Sequence, residues 1–130
     1  MNIIIPMAGK GARFSKSGFT LPKPLIKVAN KKMYQHAVDC LPLKEATKII
    51  FVIRQDEFSC SLIAHIKENY FNTYNCCVVL INGETQGQAE TILRAADVLD
   101  YAQPTLIHNC DTFVSFSWPK SNLNKRDGAV

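Results

Sequence analysis

The sequence predicts an α/β domain with a mostly parallel sheet carrying helices on both faces, and three observations lead there. Short apolar runs alternate four times with stretches whose apolar residues recur at helical spacing. The short runs are apolar throughout, without in-and-out alternation, as in strands buried on both faces. The glycine-rich and charged segments follow the strands, at the carboxyl ends where such sheets bind ligands.

Asn2–Pro6 is the first strand, β-branched and ended by Pro6 and the glycines Gly9 and Gly11. A polar loop runs through Gly18 to Pro22-Lys23-Pro24 and the short apolar piece Leu25–Val28. Asn30 can cap a helix that places Met33, Ala37, Cys40 and Leu41 on one face, and Pro42 stops it. Lys48–Ile53 is the second strand; Asp56 can cap the next helix, with Phe58, Leu62, Ile63, Ile66 and Tyr70 inward. Cys76–Ile81 is the third strand. Thr85 and Gln88 have capping-box spacing before a helix with Ala89, Ile92, Leu93, Ala96 and Leu99 inward. Pro104–Asn109 is the fourth strand, ending at Cys110-Asp111. Ligand-binding loops are therefore expected at Met7–Gly18, Asn82–Gly87 and Cys110–Thr112.

Composition narrows the class. At 130 residues, 47% hydrophobic and 20% charged, the chain is long enough for one domain with a real core. No apolar run approaches the roughly 20 residues that span a bilayer, and Met1–Pro6 lacks the basic start of a secretory leader. A cytoplasmic protein with no membrane partner is expected. Five cysteines, Cys40, Cys60, Cys76, Cys77 and Cys110, show no C-x-x-C spacing and read as reduced core thiols. His36, His65 and His108 share no ligand spacing and read as local structural residues. Trp118, Phe113 and Phe116 can stack a base, though aromatics at that spacing also line cores and flaps.

The net charge of +4 is unevenly spread. Lys10, Arg13, Lys16, Lys23, Lys27, Lys31 and Lys32 precede the first acid, Asp39, and such a stretch attracts anions. Nucleic acid is a weak choice of anion: aromatics are not interleaved, no known module is present, and the pI is only about 8.8.

Gly9-Lys10-Gly11-Ala12-Arg13 follows the first strand directly, and glycines there let backbone N–H groups approach an anion. Phe14 replaces the third glycine of a dinucleotide loop, and no Gly-Lys-Ser/Thr ends a P-loop. A tight turn accounts for the glycines equally well when they are taken alone. Pro22-Lys23-Pro24 adds a lysine held between two rigid residues, suited to a phosphate. Asp111, at a strand end, is the acid placed for magnesium, and Gly87 allows close ligand approach; a turn aspartate and a relaxed helix start are the plainer alternatives.

Read together, Pro6-Met-Ala-Gly-Lys-Gly-Ala-Arg-Phe14, Leu21-Pro-Lys-Pro-Leu-Ile-Lys-Val28 and Lys32-Met33 resemble the signature of the nucleotidyltransferases that make nucleotide-sugars. The resemblance implies a Rossmann-like, nucleotide-diphospho-sugar transferase fold. It also implies Mg2+-dependent transfer of a nucleotidyl group from a nucleoside triphosphate to a sugar phosphate or similar phosphorylated metabolite, releasing pyrophosphate. On that basis Arg13 holds the departing end of the triphosphate and Lys23 the reacting phosphates. Met7, Ala8, Gly9 and Gly11 wrap the nucleotide, Gln86 and Gly87 lie by the base, and Asp111 is the metal carboxylate. A catalytically silent nucleotide-binding or regulatory domain is the alternative, opposed by the joint retention of Arg13, Lys23 and Asp111. The chain departs from the common pattern at Pro6-Met7 and at Asn109-Cys110-Asp111. Asp127-Gly128-Ala129-Val130 reads as a strand just beginning. Residues 1–130 are thus expected to be the nucleotide-binding half of a domain whose second metal carboxylate lies further on, inactive alone and inclined to form homo-oligomers.

Overall fold

The computed structural model describes residues 1–9, 16–18, 20–115 and 117. Its main sheet contains β1 (Asn2–Met7), β4 (Lys48–Arg54), β5 (Cys76–Ile81) and β6 (Thr105–Ile107), in the order β5-β4-β1-β6. All the pairings in it are parallel, with Ile4 opposite both Ile50 and Ile107. β1 and β4 are the inner strands, and Ile3, Ile4, Ile5, Ile49, Ile50, Phe51 and Val52 have no solvent exposure. That burial is why these two strands read as unbroken apolar runs. β5 and β6 are edges and only partly buried, with Leu80 and Ile107 exposed.

Alternate residues of β1 serve opposite faces. Ile3, Ile5 and Met7 pack with Tyr34, Val38, Leu62, Ile66 and Tyr70, from α1 (Met33–Asp39) and from α2 (Ser59–Ile66) with its one-turn π extension Lys67–Phe71. Ile4 and Ala8 pack with Ile50, Val52, Ala95 and Ile92, the last from α3 (Gln88–Leu93). Helices therefore cover both faces, as expected.

Several elements differ from expectation. Pro6 does not end the first strand, which continues to Met7. The Asn2 N–H donates to the Pro104 carbonyl (2.8 Å) and the Ile4 carbonyl accepts from the His108 N–H (3.0 Å), so even-numbered residues of β1 bond toward β6. Pro6 is in that phase but lies past the end of β6, so its missing N–H breaks no ladder bond. Leu25–Val28 and Asn30 form no helix start. Lys23–Leu25 is a 3-10 turn, and β2 (Lys27–Val28) pairs with β3 (Lys31–Lys32) in a hairpin whose turn holds Ala29 at φ 53°. α1 is instead entered at Lys32, whose N–H donates to Gln35 Oε1 (3.0 Å). Its inward residues are Tyr34, Ala37, Val38 and Leu41.

Asp56 does organise the entry to α2, accepting from the Phe58 N–H (2.9 Å), and the expected inward face of that helix holds. The box at Thr85 and Gln88 does not form. The Thr85 hydroxyl bonds that of Thr91 (2.7 Å), and the Gln86 N–H donates to Glu90 Oε2 (2.7 Å). α3 stops at Leu93 and passes into a 3-10 turn at Ala96–Val98, so Thr91, Ile92, Ala95, Val98 and Leu99 face inward while Leu93 is 70% exposed. The cysteines are all free but not deep in the core: Cys60 is exposed and the others half-buried. Burial pushes the Cys76 thiol up to about 11.

The amino end of β1 is tied to β6 by one buried polar side chain. Asn2 donates from Nδ2 to the Asp100 carbonyl (2.9 Å) and to Thr105 Oγ1 (3.2 Å), and its Oδ1 accepts from the Asp100 N–H (3.2 Å). Replacing it removes these three hydrogen bonds, which tie buried Asn2 to the more exposed Asp100 and Thr105. Asn2→Leu should lose about 1–3 kcal/mol of stability, measured as a lowered urea midpoint with unchanged slope; wild-type stability would show that water satisfies the loop.

Candidate functional site

Because the strands of the main sheet run in parallel, their carboxyl ends all open on one side, and a cleft of about 430 Å3 lies there. Its walls come from Met7–Gly9 after β1, Lys23 and Pro24 from the 3-10 turn, Arg54 ending β4, Glu84–Thr85 and Gly87–Gln88 around the start of α3, and Asn109–Asp111 after β6. Described residues of all three expected loop regions thus line one place: Met7–Gly9, then Glu84, Thr85 and Gly87, then Cys110 and Asp111.

Lys23 and Asp111 meet across this cleft: the Lys23 ammonium donates to Asp111 Oδ2. The two side chains are 29% and 31% exposed, so the pair is in reach of solvent and ligand. Local structure holds each end. The Leu25 N–H donates to the Pro22 carbonyl (2.9 Å), closing the turn that presents Lys23. His108 Nε2 donates to the Thr112 carbonyl (2.7 Å), folding the chain around Asn109–Asp111. Cys110 lies between as an inert group, since burial and the neighbouring Asp111 carboxylate push its thiol up to about 12.

On the far side, Gly87 caps α3 rather than lying within it, at φ 154°, a conformation side-chain-bearing residues rarely adopt. A Cβ built there meets nothing within 4 Å, and Gly87 lines the cleft with no side chain of its own. The Thr91 hydroxyl donates to the Gly87 carbonyl (3.1 Å) and steadies the turn. Gln88 Nε2 donates to Asn109 Oδ1, linking the start of α3 to the end of β6.

Met7, Ala8, Gly9, Lys23, Gly87 and Asp111 therefore line one cleft. Gln86 is outside its lining, with its N–H committed to Glu90. Gly11, Arg13, Phe116 and Trp118 lie outside the described residues. Sequence reasoning missed Arg54, Gln88 and Asn109 in the wall, and reached Glu84 and Thr85 only as part of the expected Asn82–Gly87 loop. Arg54, paired with Asp56 at 3.5 Å, carried a usable signal as a cation ending a strand at its carboxyl side. The N-terminal basic stretch is divided: Lys23 is in the cleft, whereas Lys31 on the hairpin pairs with Asp39 (2.6 Å).

The donor set suits magnesium in a limited way. Asp111 supplies hard carboxylate oxygen at the cleft, and no group of three His, Cys, Asp or Glu converges among the described residues. This fits an ion held by one or two carboxylates with phosphate and water filling the remaining positions. Among the described residues no helix is long and apolar enough to cross a membrane.

The same fold and sequence pattern occur in known proteins. The mannose-1-phosphate guanyltransferase of Schizosaccharomyces pombe is 27% identical over 119 residues, which are 89% of this chain and 32% of that protein. The nucleoside-diphosphate-sugar pyrophosphorylase of Vibrio cholerae RC9 superposes with a TM-score of 0.74 at 28% identity, over 91% of this chain and 51% of its own. A UDP-glucose pyrophosphorylase solved with UDP-glucose superposes with a TM-score of 0.66 at 21% identity, over 95% and 50% of the two chains, which speaks to the fold alone. The chain thus spans about a third of the curated relative and half of each of these structures. The model of the MobA-like NTP transferase domain matches residues 3–123, and the chain belongs to that family of nucleotidyltransferases.

Proposed function

We propose that this chain is the nucleotide-binding half of a magnesium-dependent nucleotidyltransferase that moves a nucleotidyl group onto a sugar phosphate and releases pyrophosphate. The observation that carries the reading is the meeting of Lys23 and Asp111 in the cleft at the strand ends. The guanyltransferase and the nucleoside-diphosphate-sugar pyrophosphorylase support the same substrate classes through the reactions that their names give.

In the reaction, a phosphate oxygen of the acceptor bonds to the α-phosphorus of the triphosphate. The bond from that phosphorus to the bridging oxygen breaks, and its electron pair leaves with pyrophosphate. A phosphate monoester is largely dianionic near pH 7, so the attacking oxygen needs no base. The work left to the protein is positioning and charge neutralisation. Met7–Gly9 offers backbone to the nucleotide, Gly87 leaves room for the base, and Lys23 and Arg13 hold phosphate oxygens. Magnesium held at Asp111 would supply further neutralisation of the phosphates.

Magnitudes favour the exchange of partners this requires. An ion pair about one-third exposed contributes at most about 1 kcal/mol. A charge-assisted contact to phosphate is worth about 1.5–3 kcal/mol. Lys23 therefore leaves Asp111 for a phosphate at a net gain, and the freed carboxylate becomes available to a cation.

Lys23→Ala and Arg13→Ala should each weaken binding of the preferred nucleoside triphosphate at least tenfold, roughly the loss of one such contact, with melting temperatures near wild type. Isothermal titration against the four ribonucleoside triphosphates and thymidine triphosphate, with magnesium, makes the test; wild-type affinity in both variants would remove the phosphate role. Asp111→Asn should abolish the strengthening of triphosphate binding by magnesium while binding without metal persists. Equal strengthening in variant and wild type would assign the metal to another carboxylate.

A further inference from the structure

β5 is an edge of the main sheet, and among the described residues no strand pairs with its outer side. Its bonds to β4 fix which backbone groups face outward. The Ile49 N–H donates to the Asn75 carbonyl (2.8 Å) and the Gln55 N–H to the Ile81 carbonyl (2.9 Å). Together with the parallel register between them, those two bonds turn the odd-numbered residues of β5 toward β4. Cys76, Val78 and Leu80 alternate with these, so their N–H and C=O groups point away from the sheet.

Edge strands are ordinarily blunted by charge, by proline, by a bulge or by being very short. β6, at the other edge, is short, with three residues. β5 has six, Cys76-Cys-Val-Val-Leu-Ile81, none of them charged and none of them proline. Its register with β4 is unbroken from Cys76 to Ile81, so it carries no bulge. Residues 69–83 around it form the longest run in the sequence without Asp, Glu, Lys or Arg. Cys76 and Val78 pack against the core on the α2 face, and Leu80, next in that phase, is 48% exposed.

We propose that the outer edge of β5 pairs antiparallel with β5 of a second copy of this chain, joining two four-stranded sheets into one. Outward-bonding residues must face outward-bonding residues, and a two-fold axis at Val78 matches all three. Val78 then exchanges both backbone hydrogen bonds with the partner's Val78, and Cys76 does so with the partner's Leu80. Cys77 lies opposite the partner's Val79 in the intervening, non-bonded pairs. Charge selects an identical strand as the occupant: a charged edge laid against its own copy sets like charges opposite one another, and this one sets only apolar side chains there. The partner's Cys76 also gives the exposed Leu80 an apolar neighbour. Because the two strands run in opposite directions, the clefts at the strand ends open at opposite ends of the joined sheet, and both stay accessible.

Sedimentation velocity of the 130-residue chain over a range of concentrations makes the test, with reductant present to keep the cysteines as thiols. Wild type should dimerise reversibly. Leu80→Lys sets a charge at the joint from an exposed position, and Val78→Pro removes an outward N–H while sparing the ladder to β4. Each should weaken the dimer at least tenfold, whereas Ile107→Lys, the same change on the other edge, should leave it unaltered. Amide exchange at Cys76 and Val78 should be slower in dimeric wild type than in monomeric Leu80→Lys. A wild type that stays monomeric throughout would overturn the proposal. So would wild-type association in a Leu80→Lys variant with the native circular-dichroism spectrum, loss of the dimer in Ile107→Lys alone, or fast exchange at Cys76 and Val78 in dimeric wild type.

Discussion

The constraint on which the rest of this molecule depends is the central place of β1. It pairs with β4 on one edge and β6 on the other, and helices cover both its faces, so Ile3, Ile4 and Ile5 have no exposure at all. Four neighbours fix one strand in every direction. Removing such side chains from water is worth about 1.5–3 kcal/mol each, and a one-residue slip would turn each toward the wrong face. The register that results carries β1 out at Met7–Gly9 and β6 out toward Asn109–Asp111 on the same side. The cleft follows from that register.

Opposite charges meet at the cleft that this scaffold forms. Lys23 and Asp111 are 88 residues apart in sequence, yet each is presented by a short closed turn at the same cleft. Without an anion they neutralise one another, at little energetic consequence because solvent reaches both. On the proposed reading, a triphosphate with its cation would offer each a stronger partner. The neighbouring Cys110 and the backbone of Gly87 bring no competing charge.

The parts of the fold legible in the sequence are those where one physical cause acts alone. β4 reads as a strand because both its faces are buried and nothing polar interrupts it. The inward face of α2 reads because that helix is long enough to keep its phase through Leu62, Ile66 and Tyr70. α3 misleads because it ends after Leu93 and a tighter turn resets the phase, carrying Ala95 inward and leaving Leu93 in solvent. Tyr34 lies outside the expected face of Met33, Ala37, Cys40 and Leu41 because α1 turns its Tyr34 and Val38 side inward, where the Tyr34 hydroxyl meets His65 Nδ1 at 2.6 Å. The candidate site shows the same division. Gly9, Lys23 and Asp111 stand in recognisable local patterns, whereas Arg54 and Gln88 join the cleft only through tertiary placement.

The central claim is that a metal–nucleotide complex occupies the cleft between the ends of β1, β6 and α3. Amide NMR spectra with manganese and a non-hydrolysable triphosphate address it directly, since paramagnetic broadening falls steeply with distance from the ion. The account predicts that Gly9, Lys23, Gly87 and Asp111 broaden first, while the Asn75 and Tyr101 amides stay sharp. Broadening centred on the Lys27–Lys32 hairpin, with those cleft signals unaffected, would contradict it.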